Sequence, residues 1–423
     1  MTRILQDEEF IRLIEPHTDL ILPLANGEPH RLLDIVEENN KSLDQVNVHQ
    51  MLALQERAYI DGEMKGHVSH ISYFLSGATR KAFREGHVEL IPNVFQEVSR
   101  LLEKTAKRPM VLATASPMDR HGYFSLGTQA DYVADFIGKV PFVLEVNQYM
   151  PRTFGGNQIH VSQVAGYIEN NRPLTEERIP VVTDKDVKIA QYITEDIKDG
   201  DTLQIGIGAI PNAVMKMLKD RRHLGIHTEM LTDGIVDLVE AGAVDGMRKS
   251  THQGKIITTF AFGSQRLYDF LHDNPSVEFL PVRIVNDPYE IAKEPHIVSI
   301  NATTEVDLYG QCASETVGGS YYSSTGGQAD FARGVRLAKH GKGYVCMHST
   351  AKDDTISRIK LHLTPGSVVT TSKNDVDNIV TEYGIARLHG KSLSQRAKAL
   401  IQIAHPSFRE ELTFEAKQFG ILY

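Results

Sequence analysis

Hydrophobic positions along this chain fall into short β-type runs that alternate with helical repeats, and residues 204–233 show the unit most clearly. Thr202 to Ile205 is a mostly apolar, β-prone run. Gly206-Ile207-Gly208 lets the backbone turn sharply with no Cβ in the way. Pro211 suits the first turn of a helix, where its missing N–H costs nothing. Ala213, Val214, Met217 and Leu218 recur at helical spacing, and Lys219, Arg221 and Arg222 suit a helix C-terminus. Leu224-Gly225 ends that helix, and residues 226–230 begin the next strand. Glu229 is thereby expected near the carboxyl end of a parallel strand, the edge where open α/β sheets bind ligands.

The alternation predicts similar units elsewhere. Residues 7–14 read as an amphipathic packing segment, 29–39 as a helix, and 46–53, 88–91, 110–115 and 140–146 as strands. Val94, Phe95, Val98, Leu101 and Leu102 share one face of a helix over 94–105. Residues 170–184 are polar, with prolines at 173 and 180, and read as a linker. The pattern then restarts: a helix over 184–198, strands near 255–259, 297–302, 305–310 and 368–371, a helix over 331–339, and a last helix over 392–403 with Ser392 as N-cap. Strands alternating with helices on both sides of a linker argue for two open α/β domains, 1–175 and 184–423, rather than a barrel.

Composition narrows the partners. The chain has 423 residues with 45 basic and 54 acidic side chains, a net charge of −9 that favours neither nucleic acid nor an anionic membrane. No stretch approaches the roughly 18–20 apolar residues of a membrane span. The opening MTRILQDEEF has no long apolar core, so no secretory leader is expected. Only Cys312 and Cys346 are present, which fits a reducing cytoplasm, and both read as buried structural thiols. His67 and His70 lack a zincin partner and HExxH is absent, so no metal site is expected.

The chemistry is less determined locally. Glu229 follows Gly206-x-Gly208 by about 20 residues, as a ribose-binding acid follows a dinucleotide turn, but Pro211 stands where that motif needs its third glycine. A carboxylate nucleophile beside a turn that accommodates a phosphate- or pantetheine-bearing substrate is a second reading. A surface glutamate at a strand end is the third. Asp119, His121, Tyr123 and Ser125 follow an apolar strand, as site residues do, or simply form a hydrogen-bonded turn. The small-residue loop 318–330 presents closely spaced backbone N–H groups, as an oxyanion site requires.

Several long segments, in order, resemble the acetyl-CoA hydrolase/transferase family, and within it the 4-hydroxybutyrate or butyrate CoA-transferase type. They are SPMDRHGYFSLG (116–127), EVNQYMPRTFG (145–155), GIGAIPNAV (206–214), GIHTEMLTDGIVDL (225–238), TEVDLYGQ (304–311), GGQADFARG (326–334), TTSKNDVDNIVTEYGIARLHGKSL (370–393) and IAHPSFREEL (403–412). The resemblance implies two similar α/β domains with the active site at their interface. It implies transfer of CoA from an acyl-CoA to a free carboxylic acid, with coenzyme A as substrate and no permanently bound cofactor. It places the catalytic glutamate at Glu229 and the oxyanion glycine at Gly327, beside Gly326. It places the CoA site near the turn from Gly206 and Gly208 to Ile210 and Pro211. A homodimer or homotetramer is implied, and an acyl-CoA hydrolase is the alternative activity. Ala313 departs from the pattern, because relatives carry an asparagine there. A dicarboxylate acceptor would need a cation, for which Arg152 and Lys65 are the named residues.

Overall fold

The computed structural model describes residues 4–177 and 180–423; residues 1–3 and residues 178–179, the latter inside the expected linker, lie outside the described residues. The chain divides into two compact units, Met1–Glu177 with Ile257–Val285, and Arg178–Ile256 with Asn286–Tyr423. The sequence pattern predicts one domain over 184–423, and the compact units differ from it by the excursion Ile257–Val285. That excursion is bonded into the first unit. Thr259 O accepts from the N–H groups of Ala130 and Asp131 at 2.8 and 3.1 Å. Val277–Phe279 pairs in parallel with Phe154–Gly155, and Asn26 Nδ2 donates to Tyr268 Oη at 2.8 Å. Local hydrophobic period reports which face is buried, not against which distant segment, so this return is invisible to it.

In the first unit, β1 (Asp19–Ile21), β2 (Val46–Met51), β3 (Val68–Phe74), β4 (Val88–Leu90), β5 (Pro109–Ala115), β6 (Phe142–Val146) and β7 (Gly166–Glu169) form one sheet. Its seven strands run in the order β7-β6-β5-β1-β2-β3-β4, and all neighbours are parallel. Winding outward from β1 in both directions puts the topological switch point between β1 and β5, where such sheets bind ligands. The central strands are buried and read as continuous apolar runs, as Val111-Leu112-Ala113 and Phe142-Val143-Leu144 do. Helix α1 (His30–Glu38) covers one face with Leu32, Leu33, Ile35 and Val36.

In the second unit, β8 (Thr202–Ile205), β9 (Gly225–Ile226), β10 (Ile297–Ala302), β11 (Lys342–Cys346), β12 (Asn378–Thr381) and β13 (Gly384–Arg387) form a sheet of six strands in the order β9-β8-β10-β11-β12-β13. All pairs are parallel except the closing β12–β13 hairpin. Four helices matter below: α2 (Asp184–Asp196), α3 (Ala209–Met217), α4 (Gln328–Leu337) and α5 (Leu393–Ile403). Thr183 and Asp186 close a capping box on α2, and Ser392 and Gln395 close one on α5.

Three element readings are corrected. Residues 368–371 form no strand; only Thr371 makes an isolated bridge, to Cys312. There the Thr370 hydroxyl accepts from the N–H groups of Ser314 and Glu315, doing locally what a ladder would do. Helix α4 starts at Gln328 rather than at residue 331. The strand expected over 226–230 is interrupted: Gly225–Ile226 joins the sheet and Met230–Leu231 forms a separate short strand, while between them the Thr228 hydroxyl donates to Ile205 O at 3.3 Å and Met230 O at 3.1 Å.

Candidate active site

The end of β9 and the start of α4 bring together three groups within the second unit. Glu229 lies just past the carboxyl end of β9. Asn286 precedes the short helix Pro288–Ile291. Gly327 is the N-cap of α4. Asn286 Nδ2 donates to Glu229 Oε2 at 2.7 Å, with Asp330 Oδ2 at 3.4 Å. Asn286 is fully buried, and its Oδ1 has no hydrogen-bond partner among the described residues.

Gly327 is where this arrangement is tightest. A Cβ there would stand 1.7 Å from Glu229 Oε2 and 2.3 Å from Asn286 Nδ2. No side chain fits, so the α4 backbone itself meets the carboxylate. The partial positive charge at a helix N-terminus favours an anion there. Gly326 supplies the turn into the helix with φ of +59°, a left-handed value that glycine adopts without penalty. Glu229 is only half-buried by surface, but its carboxyl group is enclosed. Burial therefore pushes its pKa up to about 7, against the downward pull of the Asn286 hydrogen bond. A freely solvated surface glutamate is excluded.

The glycine turn sits close by in the chain of bonds. Thr228, next to Glu229, bonds to Ile205, which ends β8 immediately before Gly206. Gly206 N donates to Ile300 O at 2.9 Å, and a Cβ on Gly206 would press on that oxygen at 3.3 Å and on Asn301 Oδ1 at 3.4 Å. Gly208 has φ of +120° and ψ of −177°, a region essentially reserved for glycine. It caps α3, in which Ile210 and Pro211 are buried, while Ile207 at the tip is 53% exposed. The strand order puts this turn at the switch point between β8 and β10. Beneath it Gln204 and Asn301 exchange side-chain hydrogen bonds at 3.2 and 3.0 Å.

Asn286, Gln204 and Asn301 carry no signal in the sequence that marks them as site residues. Asn286 sits in a run that reads as an ordinary turn into Asp287-Pro288, and its amide gains meaning only when the fold carries it to Glu229. Other named residues are placed elsewhere. Asp119 accepts from the N–H groups of His121 and Tyr123 at 2.8 and 3.0 Å, which is a local turn. Ser125 is buried against Thr153. Arg152 is committed to Asp273 at 2.5 Å, and Lys65 is an exposed side chain. Ala313 is buried, and its carbonyl accepts from the hydroxyls of Thr303 and Thr304 at 2.9 and 2.6 Å. Cys312 and Cys346 are buried with thiols pushed well above their ordinary range by desolvation, so neither is poised as a nucleophile.

Known proteins share this architecture. The model of the acetyl-CoA hydrolase/transferase N-terminal domain matches residues 1–196, and that of the C-terminal domain matches residues 263–416. The chain belongs to the acetyl-CoA hydrolase/transferase family. Among family relatives, the succinyl-CoA:cyclohexane-1-carboxylate CoA transferase of Geobacter metallireducens is 45% identical over 402 residues, covering 95% of this chain and 92% of that protein. The 4-hydroxybutyrate coenzyme A transferase of Clostridium kluyveri is 41% identical over 418 residues, covering 98% and 97%. The crystal structure of RipA from Yersinia pestis superposes with a TM-score of 0.94 at 36% identity, covering 99% of this chain and 98% of that one. Glu229 and the glycine turn fall between the two family-matched stretches, within the span of these full-length similarities. Among the described residues no helix is long and apolar enough to cross a membrane, and no group of three or more His, Cys, Asp or Glu side chains is set to hold a metal ion.

Proposed function

We propose that this chain, a CoA-transferase by family and by its full-length relatives, moves CoA from a short-chain acyl-CoA to a free carboxylic acid through a glutamyl-CoA thioester on Glu229. The observation that carries the reading is the contact of Glu229 with the side-chain-free backbone at Gly327. We read the carboxylate as the nucleophile and the backbone N–H groups at the start of α4 as the oxyanion donors. Ionised Glu229 attacks the thioester carbonyl and expels CoA thiolate, forming an acyl-glutamyl anhydride. The thiolate attacks the glutamyl carbonyl, the first acid leaves, and a glutamyl-CoA thioester remains. The incoming carboxylate attacks that thioester, and the same steps in reverse form the new acyl-CoA and regenerate Glu229. Each tetrahedral intermediate carries an oxyanion, for which the N–H groups around Gly327 are the donors. Gly206, Gly208, Ile210, Pro211 and Gly326 are assigned to CoA binding.

Acceptors of the class are 4-hydroxybutyrate and butyrate. A dicarboxylate such as succinate or itaconate is less well served, since Arg152 is already paired with Asp273. The homodimer or homotetramer rests on the family resemblance alone. Assay with acetyl-CoA or succinyl-CoA tests the activity. New acyl-CoA that forms only with added acid supports transfer; steady release of free CoA without acceptor would mean a hydrolase.

Two pH effects follow. The nucleophile must be ionised, so kcat/KM for acyl-CoA rises with pH and levels off above about 7. Asn286→Ala removes a donor that favours the anion, so this rising limb moves to higher pH. An Asn286 that served only packing would lower the rate and leave the limb in place.

The second effect is on stability. The folded-state pKa of Glu229 lies above its unfolded value, so the native state favours the protonated form. Its contribution is fully present below about pH 4.5 and lost as pH rises through about 7. Glu229→Gln avoids that loss. Thermal unfolding should show the variant more stable than wild type at pH 8, by at most about 3 kcal/mol, with no gain at pH 4.

A further inference from the structure

The switch point of the first unit holds a small polar pocket that the proposed chemistry does not use. It opens at the carboxyl edge of the sheet, lined by Glu28, His30, Thr114, Glu145, Asn147 and Arg172 among others, and its volume is about 10 Å³. That is room for about one water-sized group.

Accounting for donors and acceptors leaves two open valences. Thr114 Oγ1 donates to Glu28 O. Glu145 accepts from the N–H groups of Arg31 and Leu32 at the start of α1 and from Asn170 Nδ2. Asn147 donates to Arg172 O and accepts from Arg172 N and Tyr149 N. Glu28 is 1% exposed. Its Oε2 accepts from Gln50 Nε2 and Leu54 N, but its Oε1 has no partner among the described residues. Arg172, exposed at the mouth, bonds through one guanidinium nitrogen to His30 Nδ1. Burial and the neighbouring Arg172 hold His30 down at about 4, so it is the neutral acceptor of that bond. The remaining guanidinium N–H groups face no carboxylate within ion-pair distance among the described residues.

We propose that the first unit carries a subsite for a single alcoholic hydroxyl of a small ligand, held between Arg172 and Glu28. A hydroxyl fills one water-sized space, accepts from the guanidinium and donates to Glu28 Oε1. A carboxylate brings two oxygens, is too large, and meets Glu28 and Glu145. An ammonium group has no lone pair for Arg172 and is repelled by it.

The test is an NMR titration of the full chain, without acyl-CoA, using 4-hydroxybutyrate and butyrate, which differ by one hydroxyl. Wild type and Glu229→Ala should both bind 4-hydroxybutyrate about tenfold more tightly. Arg172→Met, at an exposed position, and Glu28→Gln should each bring the ratio close to one while leaving butyrate binding unchanged. Equal binding of the two acids by wild type, or a preference that survives both substitutions, overturns the subsite. So does a crystal structure with 4-hydroxybutyrate in which water alone fills the pocket. CoA transfer is read separately: its failure with the hydroxyl preference intact would count against the role of Glu229 and not against this pocket.

Discussion

Glu229→Ala abolishes CoA transfer, with a loss in kcat on the order of 10⁴-fold or more, the scale seen when a covalent nucleophile is removed. The size follows from what the carboxylate does. In the proposed mechanism it exchanges one difficult carboxylate–thioester reaction for a series of easier acyl transfers, and keeps the energy of the thioester on the protein between half-reactions. No other side chain takes over. Asn286 is an amide, Asp330 lies one helical turn into α4 with Asn286 between it and Glu229, and both cysteines are buried thiols. Glu229→Asp is an informative companion. It keeps the charge but withdraws it by one methylene from Asn286 and from the α4 N-terminus. Since a displacement of about 1 Å costs about 10²-fold, Glu229→Asp should fall between wild type and alanine.

Gly327→Ala lowers kcat by about 10²–10³-fold with a small effect on folding, even though it adds one methyl group. The added Cβ would overlap Glu229 Oε2 at 1.7 Å and crowd Asn286 Nδ2 at 2.3 Å. The backbone φ of −96° at Gly327 is open to alanine, so the cost is not backbone strain. It falls on the carboxylate, which must swing away from Asn286 and from the helix N-terminus. Two losses combine: the nucleophile leaves its attack position, and the oxyanion loses the N–H groups that the helix start presents, each such donor counting for about 10²–10³-fold. Gly77→Ala is the matched control, since a Cβ there meets nothing within 4 Å and activity should be unchanged. A Gly327→Ala enzyme with wild-type kcat would remove Gly327 from the catalytic reading.

Much of the scaffold was legible because its signals are local. Thr202–Ile205 and Ile297–Ala302 have the bounds that their apolar runs predict, and Ser392 caps α5 as expected of a serine at the start of a helical repeat. Gly206-x-Gly208 with Pro211 marks the turn into α3. What stayed hidden depends on partners remote in sequence. β3 carries Ser69, His70 and Ser72, which dilute its apolar pattern, although His70 and Ser72 are buried. β11 is short and holds Lys342 and Gly343, so it reads as a loop until β10 and β12 flank it.

The site divides in the same way. Glu229 and Gly327 were reached through long motifs, since neither a strand-end glutamate nor a glycine before a helix is distinctive alone. Asn286 is 57 positions from Glu229 and has no motif of its own. Only the fold shows that its amide donates to the carboxylate. The Glu28–Arg172 pocket is the clearest case of an arrangement absent from the linear pattern, because its walls come from four separate segments of the chain.

The most direct measurement is intact-protein mass spectrometry of wild type and Glu229→Ala after incubation with acetyl-CoA or succinyl-CoA and no acceptor acid. The account predicts a CoA-sized adduct on wild type that is absent from the variant and is discharged by adding an acceptor. No adduct on wild type, with free CoA accumulating steadily, would contradict it and assign the protein to hydrolysis. An adduct that persists in Glu229→Ala would move the nucleophile elsewhere.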